Sequence, residues 1–460
     1  MNEIVALDPT RLVVAALIGL VILLALIIRF KVPAMIAILV GAVLIGLGAG
    51  MPLEQIVKAV DDGVGNTLKG IALLVGLGSM FGAILEISGG AQSLAVTLVD
   101  KFGERKAAWA MAITGLVIAI PVFFDAGLII LIPLAFSLAR RTGHSTLYYA
   151  IPLLAGLAVG HAFIPPTPGP VLVAAMLGVD LGRVILVGAV CGAAALVVAG
   201  PVWGAHCGRK FFVAPREMVE SAAKAAEGVP EAVQPPRRLP SFGTVATIIL
   251  IPLILIVLKS VAGVVGAFAP ARKVIGFLGE PFVALTIAMI IAMVLLGRRN
   301  GYSAAELETV MTKSLEPVGL ILLVTACGGV LRYILQYSGL GDMIGHAVAS
   351  AALPMVVVAF VVAALVRISV GSATVAMTMA AGIVAAMPEV AGLSPAHLAC
   401  ITAAIAGGAT VCSHFNDSGF WLVKSLLGMD EKTTLRTWTV METLVGCTGF
   451  AVALIISFFV

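Results

Sequence analysis

Charged side chains are scarce in this chain. Its 460 residues hold 28 Lys and Arg against 24 Asp and Glu, 11% in all, where a soluble domain carries about 25%. So few charges cannot cover the aqueous surface of a protein this long, which excludes a water-soluble globule. Aromatic residues reach only 6%, and no basic patch alternates with them, so nothing points to a nucleic-acid partner. No CxxC occurs. The six cysteines lie mostly in or beside apolar runs and read as packing residues, with no metal or disulfide framework expected. GxxxxGK[ST], HExxH and GxSxG are missing too, which argues against nucleotide-driven work and against the enzyme classes those motifs mark. The first apolar run has no basic segment before it and no small-residue cleavage signal, so it is expected to be a retained span and not a signal peptide.

Apolar residues are what the sequence has in excess. They make up 61%, and the mean hydropathy is +1.14. Repeated apolar runs of 17–25 residues match a hydrocarbon layer about 30 Å thick. Fifty glycines and 23 prolines interrupt them, which suits close helix packing and deliberate helix breaks. The expected class is an all-α polytopic membrane protein.

The order of the runs divides the chain into 1–206, a polar linker loop at 207–241, and 242–460. At an offset of 250, residues 169–180 match residues 419–430 at six of twelve positions, and Ile84-Leu85 and Ser88-Gly89 recur as Ile334-Leu335 and Ser338-Gly339. Two matches a hundred residues apart at one offset indicate repeats. Within each repeat a pair of short arms, 106–140 and 354–387, flanks a polar tip. Arms of about 14 residues rise only about 21 Å, too little to span comfortably. They are expected to be re-entrant hairpins. Each repeat also has one broken helix, at 148–178 and 396–428. Five crossings per repeat then follow, and an odd number inverts the second repeat. Under this count one face receives 19 basic residues and the other 7, with Arg332 and Arg367 inside. The basic face belongs in the cytoplasm and both termini outside. The first hairpin would open toward the cytoplasm and the second toward the exterior.

Ionisable and hydroxyl groups at membrane depth are costly unless a pathway uses them. Four clusters fall at the expected breaks: Asp125 with Gly127; His161, Thr167 and Gly169; Arg367, Ser369, Gly371, Ser372 and Thr374; and His414, Asn416, Asp417 and Ser418 ahead of Gly419. Unwound backbone there needs polar partners, and half-helix N-termini after Gly127, Gly169, Gly371 and Gly419 would turn partial positive charge toward an anion. Arg367 suits a carboxylate, because its guanidinium grips both oxygens. Ser369, Ser372, Thr374, Thr167, Asn416 and Ser418 suit hydroxyls, with Gly169 and Gly371 admitting close backbone approach. Asp125 or Asp417 suits a proton carrier, with His414 or His161 in support. Each reading has a plainer rival. Asp125 and Arg367 would form a structural pair, Asp417 a helix cap, His161 a packing group, and Arg332 a snorkelling cation. Glu86 and Glu442 would sit in interfacial water, and the amphipathic segments 52–66 and 301–316 would be interfacial struts. Inverted repeats with hairpins from both sides fit alternating access better than an open pore.

Pro121-Val-Phe-Phe-Asp-Ala-Gly127, Pro165-Pro-Thr-Pro-Gly-Pro170 and Ser413-His-Phe-Asn-Asp-Ser-Gly-Phe-Trp421 resemble signature stretches of the gluconate permease family, in order and over essentially the whole chain. The resemblance implies a bacterial inner-membrane symporter taking up gluconate or a related sugar acid with protons. Other members take small hydroxy acids or D-serine, and a sodium-coupled carboxylate symporter is the rival reading. No cofactor is expected beyond the coupling ion. The partners implied are a small organic anion, the lipid bilayer and a second copy of the chain in an elevator-like homodimer.

Overall fold

The computed structural model describes residues 9–215, 239–264, 271–340, 343 and 353–460. Most of the linker expected at 207–241, including Pro235-Pro236-Arg237-Arg238, lies outside the described residues. Every described element is helical.

In the first half, α1 (Pro9–Ile28) and α2 (Ala34–Ala49) precede the long α3 (Leu53–Ile87). Next come α4 (Gly90–Phe102), α5 (Ala107–Ala119) and α6 (Phe124–Thr142). The half ends with α7 (Leu147–Phe163), α8 (Pro168–Leu177), α9 (Leu181–Val197) and α10 (Trp203–Lys210). The second half opens with α11 (Phe242–Val264), α12 (Arg272–Leu278) and α13 (Pro281–Ala292). After α14 (Ala304–Lys313) and α15 (Glu316–Tyr337) come α16 (Met355–Val370) and α17 (Ala373–Ala385). The last are α18 (Pro395–Gly408), α19 (Ser418–Leu427) and α20 (Val440–Ser457).

Seven of the described helices are long and apolar enough to cross a membrane, or eight when the two arms of α3 count as one span. Ten were expected. The two that fall short are α2, with 16 residues, and the α18–α19 pair, interrupted over residues 409–417. Segment 52–66 is no separate strut, since it continues into the next apolar run as α3, bent by 42° near residue 70. Segment 301–316 likewise leads into α15 through α14, whose start carries a reciprocal cap between Ser303 and Glu306. Helix α4 was not expected at all.

Three of the four hairpin arms are about as short as the sequence indicates. Helices α5 and α17 have 13 residues each and α16 has 16, while α6 extends to 19 around Pro133. Hairpin α5–α6 lies on α7, and α16–α17 lies on α18, with α17 also reaching α8 and α15. Small residues allow these contacts. A Cβ on Gly115 of α5 would strike the Leu153 carbonyl of α7, and one on Gly156 of α7 would strike the Ala112 carbonyl. Gly407 of α18 and Gly446 of α20 meet in the same reciprocal way. In lipid, where no hydrophobic force separates helix from solvent, such close backbone contact is what holds helices together. One large core cluster joins both hairpins to both broken helices, and a second packs α1, α2 and the start of α3 on α15.

Candidate functional site

Four helix N-termini converge on one region. The caps are Phe123 for α6, Thr167 for α8, Ser372 for α17 and Asp417 for α19. Three of these helices start earlier than the sequence suggested, at Phe124, Pro168 and Ser418, ahead of Gly127, Gly169 and Gly419. The shift follows from local chemistry: Pro168 fits the first helical position, and Asp417 accepts from the Gly419 N–H at 3.0 Å. The cap reading of Asp417 therefore holds. At the second hairpin tip Gly371 takes φ +85°, and its missing side chain lets the Asn416 backbone sit directly against it.

Asp417 does more than cap. Arg367, 3% exposed, donates from Nη2 to Asp417 Oδ2 at 2.5 Å and from Nη1 to the Gly371 carbonyl. Ser413 Oγ donates to the same Asp417 oxygen, and Trp438 Nε1 donates to Ser413 Oγ at 2.7 Å. The pair anticipated between Asp125 and Arg367 is thus replaced by Arg367–Asp417. His414 Nε2 and Asn416 Nδ2 lie 3.0 and 2.8 Å from the Ile368 carbonyl, so the α18–α19 break is laced to the end of α16. Trp438 sits in a π turn, Leu435–Thr439, just before α20, and its ring packs on Phe124 at 5.5 Å between centroids. That contact ties the first hairpin tip to the second half.

These elements enclose a cavity of about 740 Å³, within the range of about 300–1,000 Å³ usual for small-molecule sites. Asp125, His161, Arg367, Gly371, Ser372, Thr374, Asn416, Asp417 and Ser418 all line it. Four residues named from sequence do not. Thr167 donates to the Ile164 carbonyl at 2.7 Å and, with His161 and Phe123, borders a small adjoining pocket. Gly169 packs under Met377, Ser369 turns back on the Leu365 carbonyl at 2.8 Å, and His414 is held by Ile368. Among the described residues no cluster of three or more His, Cys, Asp or Glu is arranged to hold a metal.

Sequence reasoning missed part of the wall. Glu442 and Glu86 both line the cavity, and Glu442 is 5% exposed, so interfacial hydration does not describe it. The signal was present: Glu442 stands one turn from Trp438 inside an apolar run, and an intramembrane carboxyl is a functional candidate by default. Apolar wall residues such as Phe124, Ile129, Leu320 and Met377 carried no such signal. Arg332 does not snorkel. Its Nη1 donates to the Met176 carbonyl at 2.7 Å, placing a cation at the carbonyl end of α8.

The family profile of GntP family permeases matches residues 11–459. A gluconate permease of Pseudomonas aeruginosa is 37% identical over 97% of each chain. The low-affinity gluconate transporter of Escherichia coli K12 is 38% identical over 96% of this chain and 98% of that one. The Gnt-II system L-idonate transporter of the same organism is 35% identical over 94% and 95%. In fold, the chain is similar to the YdaH transporter of Alcanivorax borkumensis, with a TM-score of 0.61 at 17% identity over 89% and 90%. Similar too is Neisseria gonorrhoeae MtrF, with a TM-score of 0.63 at 16% identity over 88% and 84%.

Proposed function

The chain belongs to the GntP family of permeases, and we propose that it carries gluconate, or a related sugar acid or small hydroxy acid, into the cell together with protons. It is a membrane transporter and not an enzyme. The observation that carries the proton coupling is a charge count. Among the described residues of the cavity wall, one arginine, Arg367, faces four carboxyls, Glu86, Asp125, Asp417 and Glu442. Fully ionised, these five groups would present a net charge of −3 to an incoming anion. Such a cavity takes a carboxylate more readily once a carboxyl is protonated, so binding of the anion and of a proton reinforce each other.

In this reading the substrate carboxylate rests against Arg367 and the open N-termini of α6, α17 and α19. Ser372, Thr374, Asn416 and Ser418 take its hydroxyls. The two halves act as inverted repeats, moving between outward-open and inward-open states in an elevator-like fashion, as a homodimer with both termini outside. The recurrence of helix ends at an offset of 250, Leu177 and Leu427, supports the repeat. The test is labelled gluconate uptake into sodium-free vesicles holding the purified protein, under an inward proton gradient. Concentrative uptake that an uncoupler abolishes is expected. Uptake that ignores the uncoupler and requires sodium would overturn the coupling, and competition with hydroxy acids, L-idonate and D-serine would define the substrate.

A further inference from the structure

Of the four carboxyls that the described residues bring to the cavity wall, three are hydrogen-bonded or open to the cavity. Asp417 is fully engaged by Arg367, Ser413 and the Gly419 N–H, so protonating it would cost several contacts at once. Asp125 lies in the first turn of α6 and is exposed to the cavity, where the helix N-terminus favours an anion. Glu86, in the last turn of α3, is half-exposed and open to hydration.

Glu442 differs from all three. Its side chain is almost completely buried, and Oε1 has no hydrogen-bond partner among the described residues. A buried carboxylate with an orphaned oxygen is expensive, whereas the neutral acid carries no charge to desolvate. It nevertheless stands beside the substrate region. Trp438, one turn earlier, holds Ser413, which holds Asp417, and Arg367 and Asp417 line the same cavity as Glu442. Asp125 from α6, His161 from α7 and Glu86 from α3 face the same cavity. The neighbouring α9 and α18 contribute no charged group to its wall.

We infer that Glu442 is the side chain that loads and releases the coupling proton, an inference that rests on the proton-coupled reading above. A proton from the outer water forms the O–H bond on Glu442, which removes one negative charge and lets the anion settle against Arg367. After the cavity reopens inward, the anion leaves and the same O–H bond breaks, giving the proton to cytoplasmic water. Asp417 stays with Arg367 as a fixed anion throughout.

The test uses the full chain in vesicles with labelled gluconate, in two assays. One measures net uptake driven by an inward proton gradient; the other measures gluconate exchange at equal pH, which needs no net proton movement. Glu442→Gln copies the protonated acid. It should exchange gluconate while losing accumulation and its dependence on outside pH, and Glu442→Asp should restore part of both. Accumulation by Glu442→Gln equal to wild type, with the same pH dependence, overturns the assignment. Loss of exchange in both variants overturns it as well, because Glu442 would then serve binding or folding. If wild type itself ignores the proton gradient and follows sodium, the underlying reading fails first, a result distinguishable because it appears before any substitution is made.

Discussion

Arg367 is held at two of its nitrogens by the fold, and it is the only lysine or arginine among the described residues of the cavity wall. Its ion pair with Asp417 and its bond to the Gly371 carbonyl fix the guanidinium plane at the hairpin tip. A planar fork fixed in this way can share a second carboxylate; a lysine in the same place would offer one point charge. Arg367→Lys should therefore fold, since Asp417 keeps a cationic partner, but bind gluconate about tenfold or more weakly, the worth of one charge-assisted hydrogen bond at about 1.5–3 kcal/mol. Calorimetric titration of the purified protein measures it. Affinity equal to wild type would move the anion site to the helix N-termini alone.

Among the elements, the second hairpin and the second broken helix act as one unit. Gly371 takes a left-handed φ of +85°, and the Asn416 backbone occupies the space a side chain would need. Gly143, at the end of α6, has a comparable φ of +72° with nothing within 4 Å of its would-be Cβ. The pair separates two effects. Gly143→Ala should show only the backbone cost of about 1–2 kcal/mol, seen as a modest fall in thermal midpoint with uptake retained. Gly371→Ala adds a collision that pushes α16–α17 off the 413–417 loop, so its midpoint should fall further and uptake should vanish. Equal behaviour of the two variants would mean the tip and the loop are not coupled.

For the whole molecule, the governing quantity is the charge of the central cavity. In the proposed mechanism four carboxyls against one arginine make anion binding and proton binding mutually reinforcing, so gluconate affinity should rise as pH falls. For one linked proton the rise is at most about tenfold per pH unit. Equilibrium binding measured across a pH series, without any gradient, checks this. Affinity that stays flat across the series would show that the protons are not bound with the substrate.

The composition alone made this a membrane protein, because 11% charge cannot clothe 460 residues in water. Spacing located the helix breaks: the prolines at 165–170, the glycine at 371 and the polar stretch 413–417 interrupt apolar runs in ways that backbone chemistry enforces locally. Asp125, Arg367, Asn416 and Asp417 were legible for the same reason, as polar groups that lipid would not tolerate without a use. Partner choice was not legible. Whether Arg367 meets Asp125 or Asp417 depends on how two hairpin tips from different halves pack, and no local pattern encodes a distance between residues 242 positions apart in one case and 50 in the other. The burial of Glu442 likewise belongs to tertiary structure. A glutamate in a terminal apolar run looks interfacial until α20 is packed against α18 and α9, which closes water away from one of its oxygens.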